Sequence, residues 1–411
     1  MATQKLNAEG ALPEVGISGR AARRIDSGVL WVFSNEVEER ADDLPAVHLC
    51  RFTHGGRLAA IGYFNRHSLI AGRVLARGDE PDFEALIVKR LREAFLRRAP
   101  MFSGGALRLV FSEADLLPGL VVDIYPPYAV VQSNTAGMDL LVPMLLERVP
   151  GLVEEVFGLR LQGLVLRCDA GVRRLEAVEL FNRICFGDPE GLAAAVLEED
   201  GVRCVADLIG GQKTGFFLDQ RENRRFLAGQ VHACGVARVL DLCCYSGAWG
   251  LRALQAGAAH VTFVDQSREA LELLQRGLAA NRVAPGRAAA VQKDLFDFLT
   301  ADPVDYDIVV ADPPAFVKSR RNLAQAAKAY QKLNRLAWRR LRPGGLLITC
   351  SCSHLISPAD FIALLAAAVA KENGLAQVVY RGGQAEDHPL LLSMPETGYL
   401  KCVGLRRIRA A

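Results

Sequence analysis

The chain has 411 residues, 51% hydrophobic and 23% charged, with Gly and Pro scattered along it; this excludes a disordered, collagenous or coiled-coil protein and leaves room for two to three domains of roughly 150 residues. Its 49 basic and 46 acidic residues almost cancel, and its ten cysteines are too sparse for a disulfide scaffold and show no zinc-ligand spacing, so no metal is expected. The longest aliphatic run, residues 361–370, is far short of the ~20 apolar residues of a spanning helix, and the opening MATQKLNAEGALPEV has no signal-peptide core, so a cytoplasmic protein without membrane contact is expected.

Residues 1–16 match no pattern and are expected to be disordered. From 17 to 85, short strand-like pieces (VLWVFSNEV, RLAAIGYFN, LIAGRVL) alternate with Gly and polar turns, consistent with a small β-rich barrel. Residues 86–195 read as an α+β module. LRLVFSEADLLPGLVVDIY gives two strands around a Leu-Pro-Gly turn, YAVVQSN a third, MDLLVPMLLERV a helix and LVLRCD a further strand. From 196 to 411 the pattern becomes strand then helix, repeated: VARVLDL, AHVTFVD, AAAVQKD, YDIVVAD and GGLLITC are apolar runs, interspersed with stretches such as SREALELLQRGLAAN and AAKAYQKLNRLAWRRL. Such alternation predicts an α/β fold with a parallel, doubly wound sheet, because parallel neighbours need crossover helices and both faces are buried.

The first of these strands runs into DLCCYSGAWG and then a helix. A glycine-bearing turn at that place is where doubly wound sheets bind nucleotide-like cofactors. Gly247 and Gly250 do not make GxGxxG, so a pyrophosphate cradle is not evident. S-adenosylmethionine carries no phosphate and needs none. Asp241 ends the first strand, Asp265 the second, where a carboxylate can accept from both ribose hydroxyls, and Asp294 with Leu295 the third, suited to the adenine amine and ring. A lone strand-end Asp is often only a helix cap; three in succession favour the cofactor. Ser246 and Gln266, beside Gly247 and Asp265, join the expected set.

After the fourth strand comes Asp312-Pro313-Pro314-Ala315-Phe316. Two prolines stiffen the loop and fix the direction of the acid, which can recognise the amine edge of a nucleobase while Phe316 supplies stacking surface. The fifth strand ends TCSCSH. Most cysteines are small buried hydrophobes, but Cys350 and Cys352 lie at the carboxyl end of a strand, where open α/β sheets bind ligands. Cys352, nearer the end, is the better-placed nucleophile. Residues 313–359 contain no Asp or Glu and nine basic residues, among them Arg320, Arg321 and Lys328; this suggests a polyanion face, with a solvated helix surface as the plain alternative.

RRIDSGVLWVFSNEV, SEADLLPGLVVDIY, GQKTGFFLDQRENR, VLDLCCYSGAWG, DPPAF, TCSCSH and DHPLLLSMPETGYLKC, in this order and spacing, resemble the bacterial large-subunit (23S) ribosomal RNA cytosine-5 methyltransferases that begin with a PUA domain. The resemblance implies an RNA-binding PUA barrel, a central α+β domain that helps to shape the RNA cleft, and a class I (Rossmann-like) S-adenosylmethionine methyltransferase domain. It further implies that the second Cys of TCSCS, Cys352, is the nucleophile; on the reading of the loop above, Asp312 is expected to hydrogen-bond the cytosine edge and offset charge on the ring. Phe217, Asp219, Gln220 and Arg224 are expected to cover the cofactor or to position the RNA backbone. Many family members carry Lys where this chain has Ala315. The expected partner is ribosomal RNA; a homodimer is compatible with the sequence.

Overall fold

The computed structural model describes residues 12–40, 44–78, 82–235, 237–316 and 320–408. The chain divides into two units. One takes residues up to 195 together with 207–216 and 387–397; the other takes 196–206, 217–386 and the C-terminal end.

The first unit contains a six-stranded sheet whose order runs Trp31–Val32, Gly72–Arg77, Arg57–Asn65, Val47–His54, Glu14–Ile17, Val37–Arg40. Its core is Val15, Ile17, Val32, Phe52, Phe64 and Val74. Gly72 is required there, since a Cβ would stand 2.6 Å from the Phe52 ring. The first strand begins at Glu14, inside the segment expected to be disordered, because Val15 and Ile17 face the core and pair with residues 37–40 and 51–53. The five-stranded sheet of the same unit (Phe181–Phe186, Gly163–Cys168, Tyr128–Ser133, Leu120–Tyr125, Leu107–Phe111) has the strands expected from sequence plus the edge strand Phe181–Phe186. Helices Phe83–Arg98 and Val142–Phe157 contribute to its core.

Residues 387–397 complete this unit from the far end of the chain. The Asp387 carboxylate accepts the Arg108 N–H at 3.0 Å and its carbonyl accepts from Arg98. Ser393 donates to the Gly28 carbonyl at 2.8 Å, and Met394 lies in the barrel core.

The second unit is built on a seven-stranded sheet. Its strands are β1 (Arg238–Leu242), β2 (His260–Asp265), β3 (Ala288–Gln292), β4 (Tyr306–Ala311), β5 (Leu341–Ser351), β6 (Ala376–Gly382) and β7 (Lys401–Arg407). The order is β3-β2-β1-β4-β5-β7-β6. The first five are parallel, as the sequence pattern predicts; β7 runs antiparallel between β5 and β6. That pair was not legible because KCVGLRR carries charge at both ends and its neighbour β6 is mostly exposed. The helices are α1 (Arg221–Cys234), α2 (Ala248–Gln255), α3 (Arg268–Ala280), α4 (Leu295–Ala301), α5 (Leu323–Arg339) and α6 (Pro358–Ala370). Ser267 caps α3 and Asp294 caps α4, while Ser357 and Asp360 form a capping box on α6. Leu240, Leu242, Val309, Leu347, Tyr330, Trp338 and Phe361 form the core on one face. Strand order reverses between β1 and β4, so the crevice beyond their carboxyl ends is where a ligand of such a sheet binds.

Candidate active site

The loop leaving β1 is held in a costly shape. Cys243, Tyr245 and Gly247 have φ of 56°, 48° and 81°, a region that costs a non-glycine residue on the order of 1–3 kcal/mol. The second strand offsets that cost: Asp265 Oδ2 accepts the Tyr245 N–H at 2.9 Å, and the Val264 carbonyl accepts the Cys244 N–H at 3.1 Å. Gly247 is fixed by packing as well, since a Cβ would meet Leu274 at 2.3 Å, and one on Gly250 would meet Phe263 at 2.1 Å. The two glycines therefore bring α2 flush against β2 and α3. Ser246 is buried, and its Oγ has no hydrogen-bond partner among the described residues.

Four acids surround this loop. Asp265 is half-buried, each oxygen already accepting one backbone N–H, from Tyr245 and Ser267 at 2.9 Å; a carboxylate has lone pairs to spare for two hydroxyls. Asp294 is exposed and caps α4 through Oδ1, accepting from Phe296 and Asp297. It is thus a helix cap, and Leu295 next to it packs on the core. Asp241 is 0% exposed. Its Oδ2 accepts the Gly250 N–H at 2.9 Å and its Oδ1 has no partner among the described residues. Burial, then the charges of Asp312 and Asp265, push this carboxyl up to about 8 against the Gly250 bond. Asp241 therefore holds the start of α2 from beneath. Gln266 is exposed just past β2.

Asp312 follows β4 and anchors the next group. Its Oδ2 accepts from Gln220 Nε2 at 2.9 Å and from the Trp249 indole at 3.1 Å. Gln220 is buried and in turn accepts from Asn223, whose amide also donates to the Gly383 carbonyl and whose oxygen accepts the Tyr380 hydroxyl. Asp219, also buried, accepts the Tyr399 hydroxyl. Phe217 meets Tyr245 edge to face at 5.5 Å. The GFFLDQ stretch thus braces Asp312 and the strained loop from the side. Pro313 is buried and Pro314 exposed; Phe316 is half-buried, its ring edge-on to Tyr330 at 4.8 Å.

The two thiols after β5 stand in different surroundings. Cys350 is 0% exposed and pairs across the sheet with Cys402, and burial drives its thiol well above the ordinary range. Cys352 lies one residue past the strand and is partly open. Its neighbours Ser351 and Ser353 both share hydrogen bonds with the Tyr330 hydroxyl of α5, at 3.1 and 3.3 Å. His354 is exposed, 5.7 Å from the Tyr399 ring. Cys243 is pushed up by burial and then by the charges of Asp265, Asp312, Asp241 and Asp294, which disfavours a thiolate there.

The structure overturns the role expected of Arg224 at the RNA. Its side chain is 1% exposed and gives both ends of its guanidinium to Glu199 at 2.6 Å, with a third bond to the Phe217 carbonyl at 3.1 Å. A group so committed cannot reach a phosphate. The acid-free stretch is not acid-free in space either. Glu372 meets Arg339 and Arg335, and Asp307 meets Arg342. Arg321 and Lys328 are exposed and make no ion pair among the described residues; the side chain of Arg320 lies outside the described part. Trp249, Tyr330, Tyr399 and Lys401 were not singled out from sequence, although the GAWG and GYLKC motifs contain three of them.

A ring of acids at a strand-end loop, with no phosphate cradle, suits a ligand bearing a positive centre and ribose hydroxyls and repels a dinucleotide. The open sheet, its strand order and this site define an S-adenosylmethionine-dependent methyltransferase, here carrying a PUA-like barrel. The comparisons agree. An S-adenosylmethionine-dependent methyltransferase family matches residues 182–391 and a PUA-like domain residues 15–77. Proteins named ribosomal RNA large subunit methyltransferase I are similar throughout: that of Aeromonas hydrophila is 31% identical over 92% of this chain and 94% of its own, and that of Alteromonas mediterranea 33% over 90% and 93%. The chain belongs to that family. Two solved structures share the fold at 19% identity, each over 96% of this chain and 100% of the other: a methyltransferase of Streptococcus mutans, TM-score 0.78, and a methyltransferase complexed with SAH, TM-score 0.79. The cofactor is S-adenosylmethionine. Among the described residues no helix is long and apolar enough to cross a membrane, and no cluster could hold a metal ion.

Proposed function

We propose that the chain methylates carbon 5 of a cytosine in large-subunit ribosomal RNA through a covalent adduct at Cys352, a cytoplasmic task. The observation that carries this reading is the side-by-side exit of two strands from the sheet. Ala311 of β4 pairs with Thr349 of β5, so Asp312 and the segment Cys350–Cys352 emerge together, with the open thiol at the outer end.

Carbon 5 of cytosine is a poor nucleophile in an aromatic ring. The Cys352 thiolate forms a bond to carbon 6, the C5–C6 π bond breaks, and its electron pair moves toward N3, where a proton shared with Asp312 meets it. Carbon 5 is then an enamine carbon able to take a methyl group. When bound, S-adenosylmethionine supplies that methyl as a sulfonium electrophile. Transfer of the carbon-5 proton to solvent and of the N3 proton back to Asp312 restores the double bond, expels the sulfur and returns the thiolate. Gln220 and Trp249, both donating to Asp312 Oδ2, fix the direction of this carboxyl group. Carbon 6 is reachable only in an unstacked base, so the target lies in a loop or opened helix. Arg321, Lys328 and the PUA-like domain supply the RNA surface.

Cys352→Ala is expected to abolish methyl transfer and keep cofactor binding, whereas Cys350→Ala, beyond reach of the base by two residues of strand or about 6.6 Å, keeps much activity. RNA carrying 5-fluorocytosine at the target should trap the protein, and peptide mapping should find the bond at Cys352. Full activity in the double alanine variant would discard carbon-5 chemistry in favour of methylation of a base amine, which Asp-Pro-Pro loops also serve and which needs no thiol.

A further inference from the structure

We propose that Lys401 is the positioning residue that holds Cys352 as a thiolate. The inference rests on the carbon-5 reading and adds to it the source of the nucleophile's charge. Lys401 opens β7 directly opposite Ser351 of β5, one residue before Cys352. Its ammonium donates to the Ser353 carbonyl at 2.6 Å and the Tyr399 carbonyl at 2.8 Å, so it is fastened to the residue that follows Cys352.

Lys401 is 8% exposed; lysines are almost never so buried without a counter-charge. Among the described residues no carboxylate lies within ion-pair distance of it. Two carbonyls satisfy two of its three N–H donors. Burial lowers this lysine to about 8, and the charge that acts against burial is that of Cys352. An ammonium that gains from a thiolate must stabilise that thiolate by the same amount, because the coupling is reciprocal.

The other titratable groups around the thiol do not take this part. Tyr330, from α5, is bonded to Ser351 and Ser353; burial raises its hydroxyl, which keeps it neutral. Asp312, from the end of β4, is an acid and has no positive charge with which to stabilise a thiolate. Tyr399 gives its hydroxyl to Asp219. His354 is exposed on the same loop. Lys401 is the buried cation of this group, carried on a strand and so fixed in place, as a pre-ionised nucleophile requires.

The test is alkylation of Cys352 by iodoacetamide in the full-length protein, read by peptide mass spectrometry from pH 5 to 10. An opposite charge within a few ångströms shifts a group by about 1–3 pH units. In Lys401→Met the midpoint should rise by about one unit or more, kcat at pH 7 should fall about tenfold or more with S-adenosylmethionine affinity unchanged, and Lys401→Arg should recover most of both. A Cys352 midpoint that does not move in folded Lys401→Met overturns the proposal. If the Met variant does not fold, the reciprocal measurement decides: in Cys352→Ser the pH midpoint for acylation of Lys401 by acetic anhydride should fall by a similar amount, and an unmoved midpoint overturns the proposal. Activity in Cys352→Ala would instead remove the carbon-5 reading itself, whatever Lys401 does.

Discussion

Replacing Arg224 by Met separates structural work from RNA contact. The wild-type guanidinium meets Glu199 through two bonds of 2.6 Å, with side-chain exposures of 1% and 9%, and adds a bond to the Phe217 carbonyl. Methionine fills much of the same volume but leaves the Glu199 carboxylate buried without its two strongest donors. Breaking a buried pair from one side costs about 3–5 kcal/mol. At about 2–4 °C per kcal/mol for a unit of this size, the transition of the second unit should fall by roughly 6–20 °C. Thermal melting and urea titration of the ligand-free protein read this directly. Adding Glu199→Leu should return a good part of the loss, because the intact pair spends most of its attraction on its own desolvation. Binding of RNA to folded Arg224→Met should keep its salt dependence. A melting point within about 2 °C of wild type, together with a salt slope smaller by about 0.7, would refute the reasoning and restore Arg224 to the RNA.

Three further outcomes follow from the same geometry. Asp265→Ala removes the acceptor expected for the ribose hydroxyls and the clamp on Tyr245, and should weaken S-adenosylmethionine binding by at least about 1.5 kcal/mol, roughly tenfold, by calorimetry; unchanged affinity removes the ribose assignment. Arg321→Ala with Lys328→Ala should lower the logarithmic salt slope of RNA binding by about 1.4, at about 0.7 per phosphate contact in a single strand, and an equal slope makes this face a solvated surface. Asp241 titrates near 8 in the fold against 3.8 for the ordinary group, so between those values the native state keeps a proton that the unfolded chain has lost, and stability falls as pH rises, by up to about 1.4 kcal/mol per unit. In Asp241→Asn that slope should flatten, as urea midpoints at pH 5, 6.5 and 8 would show; parallel curves for the two proteins would place the proton elsewhere.

The parallel strands of the second unit were legible because each is a short apolar run between turn residues, and the strand-end acids were legible because they close those runs. What each acid does was not. Asp241, Asp265 and Asp294 look alike in sequence; burial makes the first a support for Gly250, backbone bonds make the second a clamp, and exposure leaves the third a cap. Arg224 misled because a basic residue in a motif-rich stretch reads as a phosphate contact, and its partner Glu199 lies 25 residues upstream. The charge run from Lys318 to Arg342 was legible only in part for a like reason: Glu372 and Asp307, which pair with Arg339 and Arg342 in its second half, are remote in sequence but near in space. Lys401 was hidden in the antiparallel strand that the alternating pattern does not announce.

The return of residues 387–397 into the first unit sets the timetable by which that unit can be finished on the ribosome. Met394 belongs to the barrel core and Asp387 ties down Arg108, yet about 200 residues separate this segment from Ala195. At about 5–20 residues per second, the nascent barrel waits roughly 10–40 s with the Met394 niche open and the Arg108 amide unclaimed, while the whole methyltransferase sheet is being made. The arrangement makes the last tenth of the chain a proof of completion: a polypeptide truncated anywhere before Asp387 presents an unfinished first unit with an apolar gap, a substrate for chaperones and proteases, before it could ever engage RNA.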